Sequence, residues 1–473
     1  MGKSEGSPAI YQQGLNESSS RLLAALVNEN LVHSEIQFPS SPDQPVLVTL
    51  SHEQHVQDAQ YMISVPLVSN IRYDGKTYRV IPVVYPEDLL LPAILSIYWT
   101  EFHIKRPLPT LQSSFIEWEW ALAGHPTHPM SYVFHSLQMK TVIVPYMTRQ
   151  LPALQQLLGD QMIIYTHDTL HASSQSSIRT VQLPKALNFL YHLKLAFAAT
   201  ITGGLRTISH WTASISIEAT ELLKKLVPEN VWIVGEVAAV TGDFDNPDDS
   251  KHLTCILRED VEPRANALNQ CLIVAGALPE INYETKMTHI ERLFDLTTVT
   301  QKEDWFRTYA RIFLKAVLTP LVTYGVCMEA HPQNIVCRFD RTTKELKGFA
   351  YRDMGGLRLH VPTLKEHGLE LKSASPESVV VSDDIDEVWQ WAYHVVFYNH
   401  LCTILRGLGL QQHGGWEIVR KETVQVLDDL DHPTAPVLKA FIFQKNIELK
   451  CFLRMKLAKR YRGNVSSPGA SSL

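Results

Sequence analysis

The stretch MEAHPQNIVCRFD, Met328 to Asp340, crowds Glu329, His331, Gln333 and Asn334 together and then turns apolar. An ordinary strand does not place four strongly hydrogen-bonding side chains before its first buried residue. A second polar cluster, YRDMGG (Tyr351 to Gly356), follows another short apolar run, LKGFA. The nineteen-residue step from Asn334 to Asp353 matches a strand, a turn and a returning strand. Two polar clusters at the ends of one hairpin face the same cavity, so the question is what that cavity holds.

The residue types answer in part. His-x-x-Asn followed at a distance by Asp-x-Gly-Gly suits nucleotide phosphates and a divalent metal. Magnesium takes hard oxygen ligands, which Glu329, Asn334 and Asp353 supply. His331 can donate to a phosphoryl or carboxylate oxygen as charge develops. Gly355 and Gly356 let backbone approach a ligand closely. Arg352 either pairs with a carboxylate or lies outward in a surface ion pair.

The rest of the chain sets bounds. Its 473 residues exceed the usual size of one core, so two or three lobes are expected. Apolar residues make up 45%, enough for extensive burial, and the formal charge of −6 gives no basic excess to attract nucleic acid or anionic lipid. No apolar run reaches membrane-spanning length. The start of the chain lacks an apolar signal-peptide core, and the six cysteines form no CxxC pair. They read as reduced thiols of a cytoplasmic protein, not as a disulfide framework.

Coarse periodicity gives an order of elements. ESSSRLLAALVNENLV reads as a helix, and QPVLVTL, YMISVPLV and YRVIPVVYP as strands. DLLLPAILSIYWTEF, with Pro92 near its start, and SFIEWEWALAG read as helices. From Lys140 the text becomes strand-rich: KTVIVPY, DQMIIYT, SSIRTVQL, VWIVGEVAAV and HLTCILRED. YHLKLAFAATIT fits strand or helix, ISIEATELLKKLV is helical, and GDFDNPDDSK is a loop. The last block is mainly helical, led by DWFRTYARIFLKAVLTPLVTYG with its glycine stop, and continuing with IDEVWQWAYHVVFYNHLCTILRGLG.

Ordered motifs along the chain resemble the IucA/IucC family, the siderophore synthetases that work without a peptide-synthetase assembly line. EAHPQN and YRDMGG are similar to that family's C-terminal signature. Upstream lie SSIRT (Ser176 to Thr180), HLKLAF (His192 to Phe197) and TITGGLRT (Thr200 to Thr207), in the family's order. GHPTHP, with His125, Thr127 and His128, resembles the start of its active region. The likeness covers about three quarters of the chain, from Gly124 to the end. Small-molecule kinases of the aminoglycoside phosphotransferase type share His-Pro-x-Asn and Asp-x-Gly, but Glu329 stands where they carry an Asp, and they leave SSIRT and HLKL unexplained.

The resemblance implies an α+β, cupped-hand fold. An N-terminal thumb would span 1–123, β-rich fingers 124–275 and a mainly helical palm 276–460, with a flexible tail over 461–473. It implies an ATP-dependent ligase that adenylates a citrate-like carboxylic acid and condenses it with an amine or alcohol. By that likeness Ser177, Arg179, Thr180, Lys194 and Arg206 hold phosphates and carboxylate, where bidentate Arg and point-charge Lys suit planar oxyanions. Glu329 and Asp353 would carry Mg²⁺. Gln333 and Asn334 would orient ATP, and His331, Arg206 and Lys194 would serve the chemistry. His125, Thr127, His128, Arg206 and Arg352 would meet the substrate. Family members often form homodimers.

The sequence also departs from the family. Tyr132 and Phe134 stand where it usually has Lys and Arg, and PYMTRQ (Pro145 to Gln150) lacks the His and Trp of its next motif. These changes fit an altered acid substrate, a relic site that binds without turnover, or family cations that were only structural.

Overall fold

The structure is a computed structural model, which describes most of residues 146–450 and a few short strands outside that span. GHPTHP, Tyr132, Phe134 and most of the thumb lie outside the described residues. The fold is α+β. Along the chain run β1 (Leu47–Val48), β2 (Ser173–Ser174), β3 (Thr180–Gln182), β4 (Tyr191–Leu195), helix α1 (His210–Leu226), β5 (Val231–Ile233) and β6 (Glu236–Thr241). Then come β7 (Thr254–Glu259), β8 (Gln270–Val274), helix α2 (Val299–Tyr324), β9 (Ile335–Asp340), β10 (Leu346–Tyr351) and helix α3 (Gly415–Asp429).

Two five-stranded sheets organise the molecule. The finger sheet runs β6-β7-β4-β3-β2 and is antiparallel throughout. The palm sheet runs β1-β8-β9-β10-β5, with parallel pairs at both edges. β9 and β10 form the expected hairpin, Ile335 opposite Tyr351, so the two polar clusters do emerge side by side.

VWIVGEVAAV reads as one strand but is two, in different sheets. Val231–Ile233 pairs with β10 of the palm, and Glu236 onward pairs with β7 of the fingers. Gly235 makes the transfer possible. A Cβ there would lie 2.7 Å from Glu259 Oε2 and 2.8 Å from Thr220 Cγ2. The chain therefore visits the palm sheet from within the stretch expected to be fingers, and β8 does so again.

Helix α1 wedges between the sheets. Ser209 caps it, its Oγ accepting from the Thr212 amide. Ile215, Ala219, Leu222, Leu223 and Leu226 face the palm core, at the spacing of one helical stripe. Ala213 and Ile217 face Ala239 and Ile256 of the fingers. Helix α2 begins with a Thr298–Gln301 capping box and ends at Gly325, whose φ of 67° is the left-handed cap that glycine favours. Its buried stripe, including Phe306, Tyr309, Ala310, Phe313 and Val317, packs beneath β10 and beside α3.

Other expectations are corrected. Within DLLLPAILSIYWTEF, Ile97–Thr100 is a strand and not a helix, because Met162–Ile164 and Thr141–Val142 pair with it from either side. The helix from Ile385 passes into a π-helical stretch, Tyr393–Leu401. Ser466–Ala470, in the expected flexible tail, pairs as a strand with Asn446–Lys450. No helix among the described residues is long and apolar enough to cross a membrane.

Candidate active site

Strand alternation places the polar residues of the fingers on one face. Lys194 stands opposite Thr180 on one side and Ile256 on the other, and His192 stands opposite Gln182 and Arg258. Arg258 in turn pairs with Glu236. Side chains two apart on a strand share a face, so Thr180, His192, Lys194, Arg258 and Glu236 all point to the side that α1 covers.

That cover buries the charges. Lys194 Nζ donates to Glu236 Oε1 at 3.0 Å and to Asp353 Oδ1 at 2.9 Å. Arg258 Nη2 donates to the same Glu236 oxygen at 2.7 Å and lies 3.9 Å from Asp353 Oδ2. Burial alone would raise both carboxyls, but Lys194 and Arg258 more than offset it and hold Glu236 and Asp353 below the usual carboxylate range. Lys194 was expected to meet phosphate or substrate carboxylate. The anions it meets here are the protein's own.

The EAHPQN turn is held from three sides. Gln333 Nε2 donates to the Ser176 carbonyl, and Ser176 Oγ returns a bond to the Gln333 carbonyl at 3.4 Å. Arg352 donates to that carbonyl through Nη2 at 2.7 Å and to Gln175 Oε1 at 3.2 Å. Arg352 is thus buried under the turn instead of facing a substrate carboxylate or lying in a surface ion pair. The reason lies in distant partners: the Gln175 side-chain oxygen, 177 residues away, and the Gln333 carbonyl both accept from its guanidinium. Burial, and Arg258 nearby, lower its pKa to about 9. From beneath, His400 in the π-helical stretch faces the Ala330 carbonyl through Nδ1 at 3.0 Å and Tyr309 Oη through Nε2 at 2.7 Å. With Nδ1 donating and Nε2 accepting, His400 is the neutral form, and burial pushes its pKa down to about 3.

His331 is held for donation. The Gln333 amide donates to its Nδ1 at 3.2 Å, which leaves the ring proton on Nε2. Burial lowers its pKa to about 4, so at neutral pH it is an uncharged donor. Glu329 and Asp353 are joined through Tyr351, whose hydroxyl accepts from the Glu329 amide at 3.1 Å and donates to the Asp353 carbonyl at 2.8 Å. Asn334 Nδ2 donates to Glu329 Oε2 at 3.2 Å, which turns its amide oxygen the other way. Gly356 lies so close that a Cβ would sit 1.6 Å from Glu329 Oε2. Asp353 itself has φ of 77°, a strained value for a residue with a side chain.

Two carboxylates and an amide oxygen fit magnesium, which is bound by one or two carboxylates together with substrate phosphates more often than by a full protein cage. Arg179 completes this side. It donates to the Thr207 carbonyl at the entry to α1, and its charge helps depress Asp353. Ser177 and Arg206 are half-buried on neighbouring loops, the Arg206 carbonyl accepting from the Phe197 amide at 3.0 Å. His125, Thr127 and His128 lie outside the described residues.

Sequence reading missed Glu236, Arg258, His192, Tyr351 and His400. For the first two a signal exists: a charged side chain set directly against an apolar strand run, Glu236 in WIVGEVAAV and Arg258 after TCIL. An unpaired charge there would be costly, so each implies a partner. Cys255, Cys271, Cys327 and Cys337 are buried, and burial pushes the Cys271 and Cys337 thiols up to about 12.

Comparison with known proteins places the chain in a family. The profile of the IucA / IucC family matches residues 132–280. The NRPS-independent siderophore synthetase-like protein ankE of Aspergillus thermomutatus is 30% identical over 96% of this chain and 92% of its own. The chain belongs to the IucA/IucC family of siderophore synthetases. A D-ornithine–citrate ligase of Staphylococcus aureus is 27% identical over 64% of this chain, which spans only 51% of that ligase. The fold matches ATP-bound aerobactin synthetase IucA of Klebsiella pneumoniae with a TM-score of 0.56 at 15% identity, over 72% of this chain and 64% of that one. A second profile, described as ferric iron reductase FhuF-like transporter, matches residues 303–465, the helical part of the palm with its hairpin.

Proposed function

We propose that this protein is an ATP-dependent ligase that adenylates a carboxylic acid of the citrate type and passes the acyl group to an amine or alcohol. The observation that carries the reading is the meeting of two motif sets far apart in sequence. SSIRT and HLKL on the fingers join EAHPQN and YRDMGG on the palm hairpin through the Lys194–Asp353 and Gln333–Ser176 contacts. The family's ligases, including one named for citrate, support the same chemistry.

In this reading an acid oxygen attacks the α-phosphorus of ATP and pyrophosphate leaves; the amine or alcohol then attacks the carbonyl carbon of the acyl-adenylate, forming the amide or ester and releasing AMP. Magnesium, when bound, neutralises phosphate charge. Glu329, Asn334 and Asp353 would hold it. Ser177 and Arg179 on the finger loop and Thr180 at the start of β3 would meet phosphate oxygens, and Arg206 the carboxylate. His331, neutral with its proton on Nε2, would donate to the oxygen on which charge develops. Most of the rate gain would come from positioning and electrostatics. Tyr132 and Phe134, standing where the family usually has cations, point to an acid less charged than citrate.

Mass spectrometry of the nucleotide products tests this, with Mg-ATP, hydroxylamine as acyl trap and a panel of acids including citrate. AMP and pyrophosphate that depend on one acid would establish the ligase and name its substrate. ADP would indicate phosphoryl transfer to the acceptor. Nucleotide binding without either product would indicate a relic site.

A further inference from the structure

Glu236 and Arg258 lie beneath the part of the site just assigned, and neither has a role in it. Lys194, Arg258 and Glu236 are 0 to 1% exposed as side chains, whereas Asp353 is 17% exposed. The four make a balanced group of two cations and two carboxylates, with only Asp353 reaching outward. Glu236 is itself fixed from behind. Its amide donates to Thr220 Oγ1 of α1 at 2.9 Å, and the adjacent Gly235 amide donates to Glu259 Oε2 at 2.9 Å. Glu236 Oε1 receives both cations, so its place fixes theirs.

The direction of the chain of contacts matters. Asp353 sits in a left-handed backbone conformation on a three-residue turn, Met354–Gly356, packed against α1. Its own Oδ1 accepts from the Gly355 amide at 3.3 Å, and the stronger contact from outside that turn is Lys194. A lysine has a long, flexible stem, so it orients a carboxylate only if its own head is held. Glu236 supplies that hold, and Arg258 locks Glu236.

We propose that Glu236 and Arg258 are positioning residues: they fix the Lys194 ammonium, and Lys194 in turn sets the orientation in which Asp353 meets a nucleotide-bound divalent cation. Lys194 then acts through Asp353 and not as a direct phosphate ligand. The proposal rests on the reading of Asp353 as a metal-facing carboxylate. It does not need turnover to be tested.

The experiment is a Mn²⁺ titration followed by electron paramagnetic resonance, with the α,β-methylene analogue of ATP present. Nucleotide affinity without metal is measured separately by calorimetry. Glu236→Gln should weaken Mn²⁺ binding by about 10- to 100-fold, the range seen when groups supporting metal ligands are removed. Metal-free nucleotide affinity should stay within about threefold, since the phosphate-facing loop is untouched. Glu236→Asp should recover part of the loss. The double variant Glu236→Gln/Lys194→Met should bind Mn²⁺ no more weakly than Lys194→Met alone, because both act on one chain of contacts. If Glu236→Gln does not fold, Arg258→Lys is judged by the same Mn²⁺ criterion. Wild-type Mn²⁺ affinity in the folded variant, losses that multiply in the double variant, a loss confined to metal-free nucleotide binding, or a wild-type protein that takes up no Mn²⁺ would each overturn the proposal. Failure to form AMP with any acid, alongside the Mn²⁺ loss, would sink the ligase reading and leave this one standing.

Discussion

Lys194 and Asp353 are 159 residues apart in the chain, yet the ammonium lies 2.9 Å from the carboxylate. One comes from the middle of an antiparallel finger sheet and the other from the turn after a palm hairpin. This contact fastens the two halves of the site together at a place α1 keeps dry. Breaking a buried pair by removing one partner leaves an uncompensated charge, which is why the contact fixes geometry more than it adds net stability.

His331→Ala should lower turnover by about a hundredfold with the fold intact, on the size of losses when a charge-stabilising donor is removed. Pyrophosphate release and far-ultraviolet circular dichroism would check it. Unchanged turnover would remove His331 from the chemistry.

Gly356→Ala would push a methyl group into Glu329 Oε2, where the Cβ would lie only 1.6 Å away. Glu329 must then move, and overpacking of this kind costs about 1–3 kcal/mol. Urea unfolding should register that loss, and the magnesium concentration for half-maximal activity should rise. A variant equal to wild type in both would show that the turn has room the structure does not suggest.

Tyr309→Phe removes the donor to His400 Nε2 and leaves a buried acceptor without its partner. An unsatisfied buried group costs about 1–3 kcal/mol. Tyr398→Phe on the same π-helical stretch, where the tyrosine is exposed, should cost much less. Equal unfolding midpoints for the two variants would argue against a buried relay from α2 through His400 to Ala330.

Acid should destabilise the protein in two stages. His192 and His400 are buried and have pKa values lowered to about 3, and His331 to about 4. A depressed folded pKa means stability fully present above the unfolded value near 6.5 and lost as pH falls toward the folded value. By pH 5 each fully buried imidazole should forfeit roughly 2 kcal/mol. Glu236 and Asp353, also depressed, add their loss only below about pH 4, where unfolded carboxyls take up protons. Urea midpoints at pH 7, 5 and 3.5 should fall at each step. A flat profile from pH 7 to 5 would mean these histidines are not held neutral.

Much of the site was legible because it is local. EAHPQN and YRDMGG lie within one hairpin, and the length of a strand pair fixes that both ends meet. Helices α1 and α2 announce themselves through caps and apolar stripes, and those are properties of neighbouring residues. Where reading failed, the deciding force came from elsewhere. Ile97–Thr100 becomes a strand because Met162–Ile164 and Thr141–Val142 offer it an edge. The π-helical stretch and the burial of Arg352 likewise depend on partners distant in the chain.

By itself, the sequence determined the residue types, the hairpin that gathers Glu329, His331, Asn334 and Asp353, and the family to which the chain belongs. The tertiary structure alone decided where the charges go. Alternation along β4, β6 and β7 set Lys194, Glu236 and Arg258 on one face, and α1 closed that face to water. Once water is excluded, each charge must find an opposite charge nearby, and only the packed molecule fixes which one is within reach.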